Sequence, residues 1–184
     1  MSNTINEVAI LANGCFWCTE AIFQQLKGVV KVTPGYIGGI KENPTYKEVC
    51  TGETLHAEAL RIEFNSQEIT YKELLEVFFA THDPTTLNRQ GNDIGTQYRS
   101  EIFYISEQQK QDAEEYVEWL IKADVFPNPI VTKITEATKF WEAEDYHINY
   151  FNNNPNQSYC AAVIKPKVSK FQKIYHEQLK NNGI

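Results

Sequence analysis

Two cysteines three positions apart, Cys15 and Cys18, follow the turn residues Asn13-Gly14 and enclose two large aromatic residues, Phe16 and Trp17. At the first turn of a helix, Cys15 would face unpaired backbone N–H groups and the positive end of the helix dipole, both of which favour a thiolate. A lowered thiol pKa suits a nucleophile; the plainer reading is a buried cysteine packed as a small hydrophobe. Phe16 and Trp17 would wall an apolar, methyl-sized pocket, beyond the core face that Ile22 and Phe23 already supply. Cys18 falls on the same side of the turn, close enough to be bridged to Cys15 in principle. The pair reads as a redox dithiol, half of a zinc site, or coincidence. Zinc would need two more ligands from a second close pair, whereas Cys50, Cys160 and the histidines at 56, 82, 147 and 176 are scattered. No metal is expected.

A second feature lies at 57–64, where Glu58, Leu60, Ile62 and Phe64 alternate against Ala57, Ala59, Arg61 and Glu63. That period of two marks a strand with Glu58 on its apolar face. A carboxyl there is costly unless it has a partner or a task.

The elements that must position these groups follow from the pattern. Residues 7–12 form a buried strand, and Cys18, Ile22 and Leu26 mark a helix stopping at Gly28. A strand at 29–32 ends at Pro34-Gly35, and a glycine-rich loop leads to Asn43-Pro44. After the Glu58 strand come a helix at 71–80, a long loop at 85–97 and a strand at 100–105. Ser106 caps a polar helix running to about 123, with Gln109 in the capping-box position. A strand at 130–134, a helix at 142–151 and a loop-like, lysine-rich tail at 156–184 complete the chain. The first six elements match the split βαβ order, so the fold class expected is α+β, a ferredoxin-like two-layer sandwich with an additional helix, strand and long loops. One catalytic domain is expected over 1–184, its core at about 5–155.

The 184 residues carry a net charge of −7, which argues against nucleic acid as a partner. No apolar run has the length of a membrane span, and 1–12 lacks the features of a secretory signal. A cytoplasmic location is expected, where four cysteines point to catalytic, metal-binding or inert thiols rather than permanent disulfides.

Beyond these readings, the sequence resembles the A-type peptide methionine sulfoxide reductases. The motifs carrying the resemblance are Gly14-Cys15-Phe16-Trp17, Asn43-Pro44-Thr45-Tyr46, Val49-Cys50-Thr51-Gly52, His56-Ala57-Glu58, His82-Asp83-Pro84, Gln90-Gly91-Asn92-Asp93, Gly95-Thr96-Gln97-Tyr98-Arg99-Ser100 and Ala143-Glu144-Asp145-Tyr146-His147, in the family's order. The resemblance implies reduction of methionine-S-sulfoxide, free or in proteins, by a monomer with no bound cofactor and with thioredoxin (dithiothreitol in vitro) as reductant. It implies that Cys15 attacks the sulfoxide sulfur and becomes a sulfenic acid, and that Phe16 and Trp17 hold the S-methyl group. Glu58 would protonate the oxygen, Tyr46 and Tyr98 would hydrogen-bond it, and Asp93 would support that network. Trp141 either flanks the pocket or packs.

A sulfenic acid condenses with a second thiol to a disulfide that a dithiol then opens. The segment Asn154 to Cys160 resembles the family's C-terminal Tyr-Cys segment, although Ser158 replaces the usual glycine and the following glycine-rich run is absent. Cys160, on a tail free to swing over the site, is therefore the first choice for the resolving thiol, with Cys18 the alternative. Cys50 is expected to be buried. Two rival functions are a non-catalytic metal-binding domain built on the four cysteines and a general thioredoxin-type disulfide oxidoreductase; the latter leaves Glu58 unexplained.

Overall fold

The structure, a computed structural model, describes residues 6–181; residue 5 of the expected core and 182–184 of the tail lie outside them. The fold is mixed α/β, built on a mostly antiparallel six-stranded sheet. In chain order the elements are β1 (Asn6–Asn13), α1 (Phe16–Phe23), β2 (Val29–Ile37), α2 (Tyr46–Cys50), β3 (Ala57–Asn65), α3 (Tyr71–Ala80), a two-residue hairpin of β4 (Arg89–Gln90) and β5 (Asp93–Ile94), β6 (Ser100–Tyr104), α4 (Glu107–Lys122), β7 (Lys133–Glu136), β8 (Trp141–Glu142), α5 (Tyr150–Asn153) and α6 (Lys165–Ile174). The sheet order is β7-β6-β1-β3-β2-β8, antiparallel except where β6 meets β7.

Alternation along β3 sorts the two faces. Glu58, Leu60, Ile62 and Phe64 are buried in the main core, which also takes Phe16, Ile22 and Phe23 of α1 and Leu74, Leu75 and Phe78 of α3. Ala57 and Ala59 face the opposite side and join a smaller cluster with Ile10, Ala12, Ile37 and Phe103. The pattern that placed Glu58 on the core face therefore gave the right register.

Several expectations are corrected. The strand expected to stop at Pro34-Gly35 continues to Ile37. The Pro34 carbonyl accepts from Ala143 N–H at 2.9 Å, so its missing N–H also faces the short β8 edge, and the β3 ladder loses nothing. The first helix ends at Phe23 rather than near Gly28, because Leu26 is taken up in a bridge to Leu179 and the Gln25 carbonyl accepts from Lys180 N–H. The helix expected at 142–151 is broken. Glu142 belongs to β8, Asp145–His147 forms a 3₁₀ turn, and Asn149 sits in the left-handed region (φ 54°) before α5. Its N–H donates to the buried Glu20 carboxyl of α1 at 2.9 Å, and burial pushes Glu20 up to about 7.

The tail expected to be loop-like instead forms a π-helical turn, Cys160–Ile164, that runs into α6. Ile164, Val168, Phe171 and Tyr175 bury one stripe of it in the main core, and Pro166 stands in its first turn, where a missing N–H is tolerated. Cys160 is fully buried and does not ride on a free segment. The strand expected at 130–134 is shifted to Lys133–Glu136, where it pairs parallel with β6, and the loop expected at 85–97 carries the β4–β5 hairpin. Thr70 and Glu73 close a full capping box on α3. Ser106 caps α4, but Gln109 reaches back to Ile105 N–H and forward to the Val8 carbonyl instead of closing the box on Ser106.

Gly35 lets β8 close on β2: a Cβ there would overlap the Trp141 carbonyl and the Phe140 ring. The substitution Gly35→Ala is expected to cost about 1–3 kcal/mol, the scale of an overpacked site, read as a lower urea midpoint at unchanged m-value. An unchanged midpoint would show that β8 is not held in this register.

Candidate active site

Cys15 is the N-cap residue of α1, extended (φ −60°, ψ 123°) and 8% exposed. Gly14 before it has φ 104°, a conformation open to glycine alone at low cost, and a Cβ there would press on Gln90. The Cys15 carbonyl accepts from Cys18 N–H (3.1 Å), Thr19 N–H (3.3 Å) and Thr19 Oγ1 (3.2 Å), which fixes the turn.

One residue on, Phe16 N–H donates to Glu58 Oε2 at 3.0 Å. Glu58 is 1% exposed. Burial pushes its carboxyl up to about 8, partly offset by the Phe16 hydrogen bond. At pH 7 such a group is about nine-tenths protonated, whereas an ordinary glutamic acid is so only to about one part in five hundred. The core-facing acid noted in the sequence is thus a proton donor beside the cysteine.

Aromatic rings enclose the space next to this pair. Phe16 has Tyr36, Tyr46 and His147 at ring-centroid distances of 5.8, 6.3 and 5.0 Å. Trp17 stacks on Tyr150 at 3.8 Å and 7°. Its indole N–H donates to His147 Nδ1 at 2.9 Å, which leaves the imidazole proton on Nε2, 3.5 Å from Glu144 Oε2. Burial keeps His147 below its usual range, against the pull of Glu144. The Glu144 carboxylate is a hub: it accepts from Tyr36 OH (3.3 Å), Tyr46 N–H (3.2 Å) and Tyr146 OH (3.2 Å).

Loops bring in the remaining groups. His56 accepts from Gly39 N–H through Nδ1 (3.0 Å) and donates from Nε2 to the Lys41 carbonyl (2.7 Å), bracing the segment before Tyr46. Thr96 and Gln97 donate to the Gly52 and Cys50 carbonyls, tying the Tyr98 turn to α2. Burial, with the Glu58 charge second, raises both the Tyr46 and Tyr98 hydroxyls, so each stays a hydrogen-bond donor. Asp93, from β5, accepts from Tyr159 OH at 2.5 Å.

The thiols depart from expectation in one respect. The Cys15 thiol is held well above its usual range, first by burial, then by its hydrogen bond with Cys18 and the Glu58 charge. The helix terminus does not overcome that desolvation. Cys18 is instead pulled down to about 7, first by the hydrogen bond from Cys15, with Lys167 and Tyr159 adding to it against burial. Of the two thiols, Cys18 is therefore the one that ionises first.

Of the residues singled out in the sequence, Cys15, Cys18, Phe16, Trp17, Tyr46, Glu58 and Tyr98 come together, with Asp93 joined through Tyr159. Trp141 lies on β8 opposite Tyr36 with the Lys139 ammonium 3.9 Å from its ring centre, and makes no ring contact with Phe16 or Trp17 among the described residues. Cys50 is exposed at the end of α2, against the expectation of burial. No three His, Cys, Asp or Glu side chains are grouped to hold a metal among the described residues. Sequence reasoning gave no role to Tyr36, Glu144, His147, Tyr150 or Tyr159. Glu144, His147 and Tyr159 lie within motifs already noted; Tyr36 and Tyr150 carried no signal beyond their type.

Comparison with known proteins agrees with this geometry. Peptide methionine sulfoxide reductase MsrA of Deinococcus radiodurans is 57% identical over 174 residues, spanning 95% of this chain and 84% of that protein. The reduced form of Mxr1 from Saccharomyces cerevisiae superposes with a TM-score of 0.78 at 36% identity, covering 86% of this chain and 91% of that one. Mxr1 in complex with Trx2 matches at a TM-score of 0.56 and 27% identity, covering 80% and 87%. Residues 7–180 match the sequence profile described as peptide methionine sulfoxide reductase, and with a protonated Glu58 beside a buried Cys15 under an aromatic cage, the chain belongs to that family of oxidoreductases.

Proposed function

We propose that this enzyme reduces the S-epimer of methionine sulfoxide, free or in proteins, through a sulfenic acid on Cys15 and then a disulfide that thioredoxin or a small dithiol reopens. The observation that carries the chemistry is the buried, protonated Glu58 hydrogen-bonded to the turn that presents Cys15. Sulfoxide oxygen leaves sulfur only if it is protonated, and an acid near neutral pH must have its pKa raised to do this. The sheet order β6-β1-β3-β2 likewise supports the ferredoxin-like description of the core.

In the first step Cys15 sulfur approaches the substrate sulfur while its proton passes to Cys18, the thiol that already accepts its hydrogen bond. Glu58 protonates the oxygen, with Tyr46 and Tyr98 donating to it, and the S-methyl group sits against Phe16 and Trp17. One S–O bond breaks on the substrate and one forms on Cys15, so methionine is released and Cys15 becomes a sulfenic acid. In the second step the Cys18 sulfur attacks the Cys15 sulfur and gives up the proton it took in the first. The S–S bond forms, the S–O bond breaks, and the leaving oxygen takes that proton and departs as water, while Glu58 regains its own proton from solvent. The geometry favours Cys18 over Cys160 for this step. Cys18 sits on the same turn as Cys15, its N–H donating to the Cys15 carbonyl at 3.1 Å, and lines the same cleft, whereas Cys160 is fully buried in the π-helical turn and does not line that cleft. This reverses the order of preference drawn from sequence. The yeast Mxr1 complex with Trx2 supports a thioredoxin as the final reductant.

With separated epimers and dithiothreitol, Glu58→Gln is expected to lower S-epimer turnover by one to a few powers of ten, the scale of a positioned acid. Wild-type kcat/KM should fall as pH rises through about 8, where Glu58 loses its proton, and the variant should lack that limb. Turnover of the R-epimer alone, or a near-normal Glu58→Gln, would overturn the assignment. Mass mapping after one turnover without reductant should find Cys15 joined to Cys18; a Cys15–Cys160 link as the first disulfide would restore the other order.

A further inference from the structure

Cys15 and Cys18 both open onto a cleft of about 340 Å³ that the C-terminal segment helps to line. Its lining includes Cys15, Cys18, Asp93, Tyr159, Val163 and Lys167. The last three come from the C-terminal π-helical turn and α6. Spaced by four along the π-helical turn and α6, Tyr159, Val163 and Lys167 present one continuous helical face to the thiols. The Tyr159 hydroxyl lies 3.7 Å from Cys18 Sγ and donates to Asp93 Oδ2. Lys167 is half-buried, so its charge is less screened than at an open surface. It has no carboxylate partner among the ion pairs of the described residues.

We propose that the resolving step takes place in this cleft, and that Lys167 is a positioning residue that favours the thiolate of Cys18. The proposal rests on the reading of Cys18 as first resolving thiol. The groups facing Cys18 are Cys15 on its own helix, Glu58 from β3, Asp93 from β5, Tyr159 and Cys160 from the π-helical turn, and Lys167 from α6. Glu58 is protonated at neutral pH and Asp93 opposes a thiolate, so Lys167 is the cation in the set that favours one. Cys18 is lowered first by its interaction with Cys15, and Lys167 adds to that effect against burial.

The test measures alkylation of Cys18 in the resting full-length protein by iodoacetamide against pH, read by peptide mass spectrometry, in wild type, Lys167→Met and Lys167→Arg. The wild-type rate should turn over near 7. Loss of one nearby opposite charge should move that inflection up by about one unit. A less acidic thiol is also the better nucleophile, by about threefold per unit. The Lys167→Met rate should therefore be about threefold lower at pH 6 and at least equal to wild type at pH 9, with Lys167→Arg restoring the original profile. A general loosening of α6 would change the rates in one direction at every pH and would not be repaired by arginine. An inflection unmoved in Lys167→Met, or a Cys18 unreactive at all pH values in wild type, would overturn the proposal. Disulfide mapping after one turnover, on the same samples, separates the two readings. A shifted inflection with a first Cys15–Cys160 link removes Cys18 as resolver, whereas a Cys15–Cys18 link with an unmoved inflection removes Lys167 alone.

Discussion

The hydrogen bond from Phe16 N–H to the Glu58 carboxyl is the contact on which the site depends. A helix leaves its first N–H groups unpaired, and here one of them is satisfied by a side chain from the neighbouring strand rather than by its own cap. Cys15, the cap residue, is thereby left with a side chain free to react. The same contact gives the buried carboxyl one partner and no cation, so desolvation wins and the acid keeps its proton at neutral pH. One backbone donor thus sets the helix entry and the place of the acid beside the thiol turn, while burial, against the pull of that donor, sets the protonation state of the acid.

Around that contact the protein divides its charges. Glu58 and Cys15 stay neutral in the core, while negative charge sits on Glu144 at the rim, paired with tyrosine hydroxyls and a backbone N–H, and on Cys18. His147 links the rim to the cage: its Nδ1 holds the Trp17 indole while its Nε2 side faces Glu144. The tryptophan's orientation is consequently set by a residue 130 positions away in sequence. Because His147 is fully buried, removing its imidazole would leave the Trp17 indole N–H without its partner, and the cost would come from that stranded donor more than from the lost bond.

Much of this was legible in the chain. The period of two in 57–64 placed Glu58 correctly, and the spacing of Leu74, Leu75 and Phe78 gave α3 with its boundaries. What misled was local signal overridden by long-range pairing. Pro34-Gly35 reads as a stop, but the missing donor faces an edge only two residues long. The stretch at 142–151 has helical composition, yet the chain must bend at Asn149 to deliver His147 and Tyr150 to Trp17. The tail was misjudged on its lysines, although Ile164, Val168, Phe171 and Tyr175 already carried helical spacing. Position at a helix start suggested an acidic Cys15, and only three-dimensional burial reveals that the charge moves to its neighbour.

The separations along the chain have a consequence for how the protein is made. Cys15 belongs to a helix synthesised well before its partners: Trp17 waits for His147, 130 residues later, and Cys18 for Tyr159, 141 residues later. Contacts of such reach form late in folding. Until the segment that carries His147, Tyr150 and Tyr159 docks, the nascent protein carries an unsheltered pair of thiols without their aromatic cage. The site is in this sense a property of completion, acquired only when segments far apart in sequence have met.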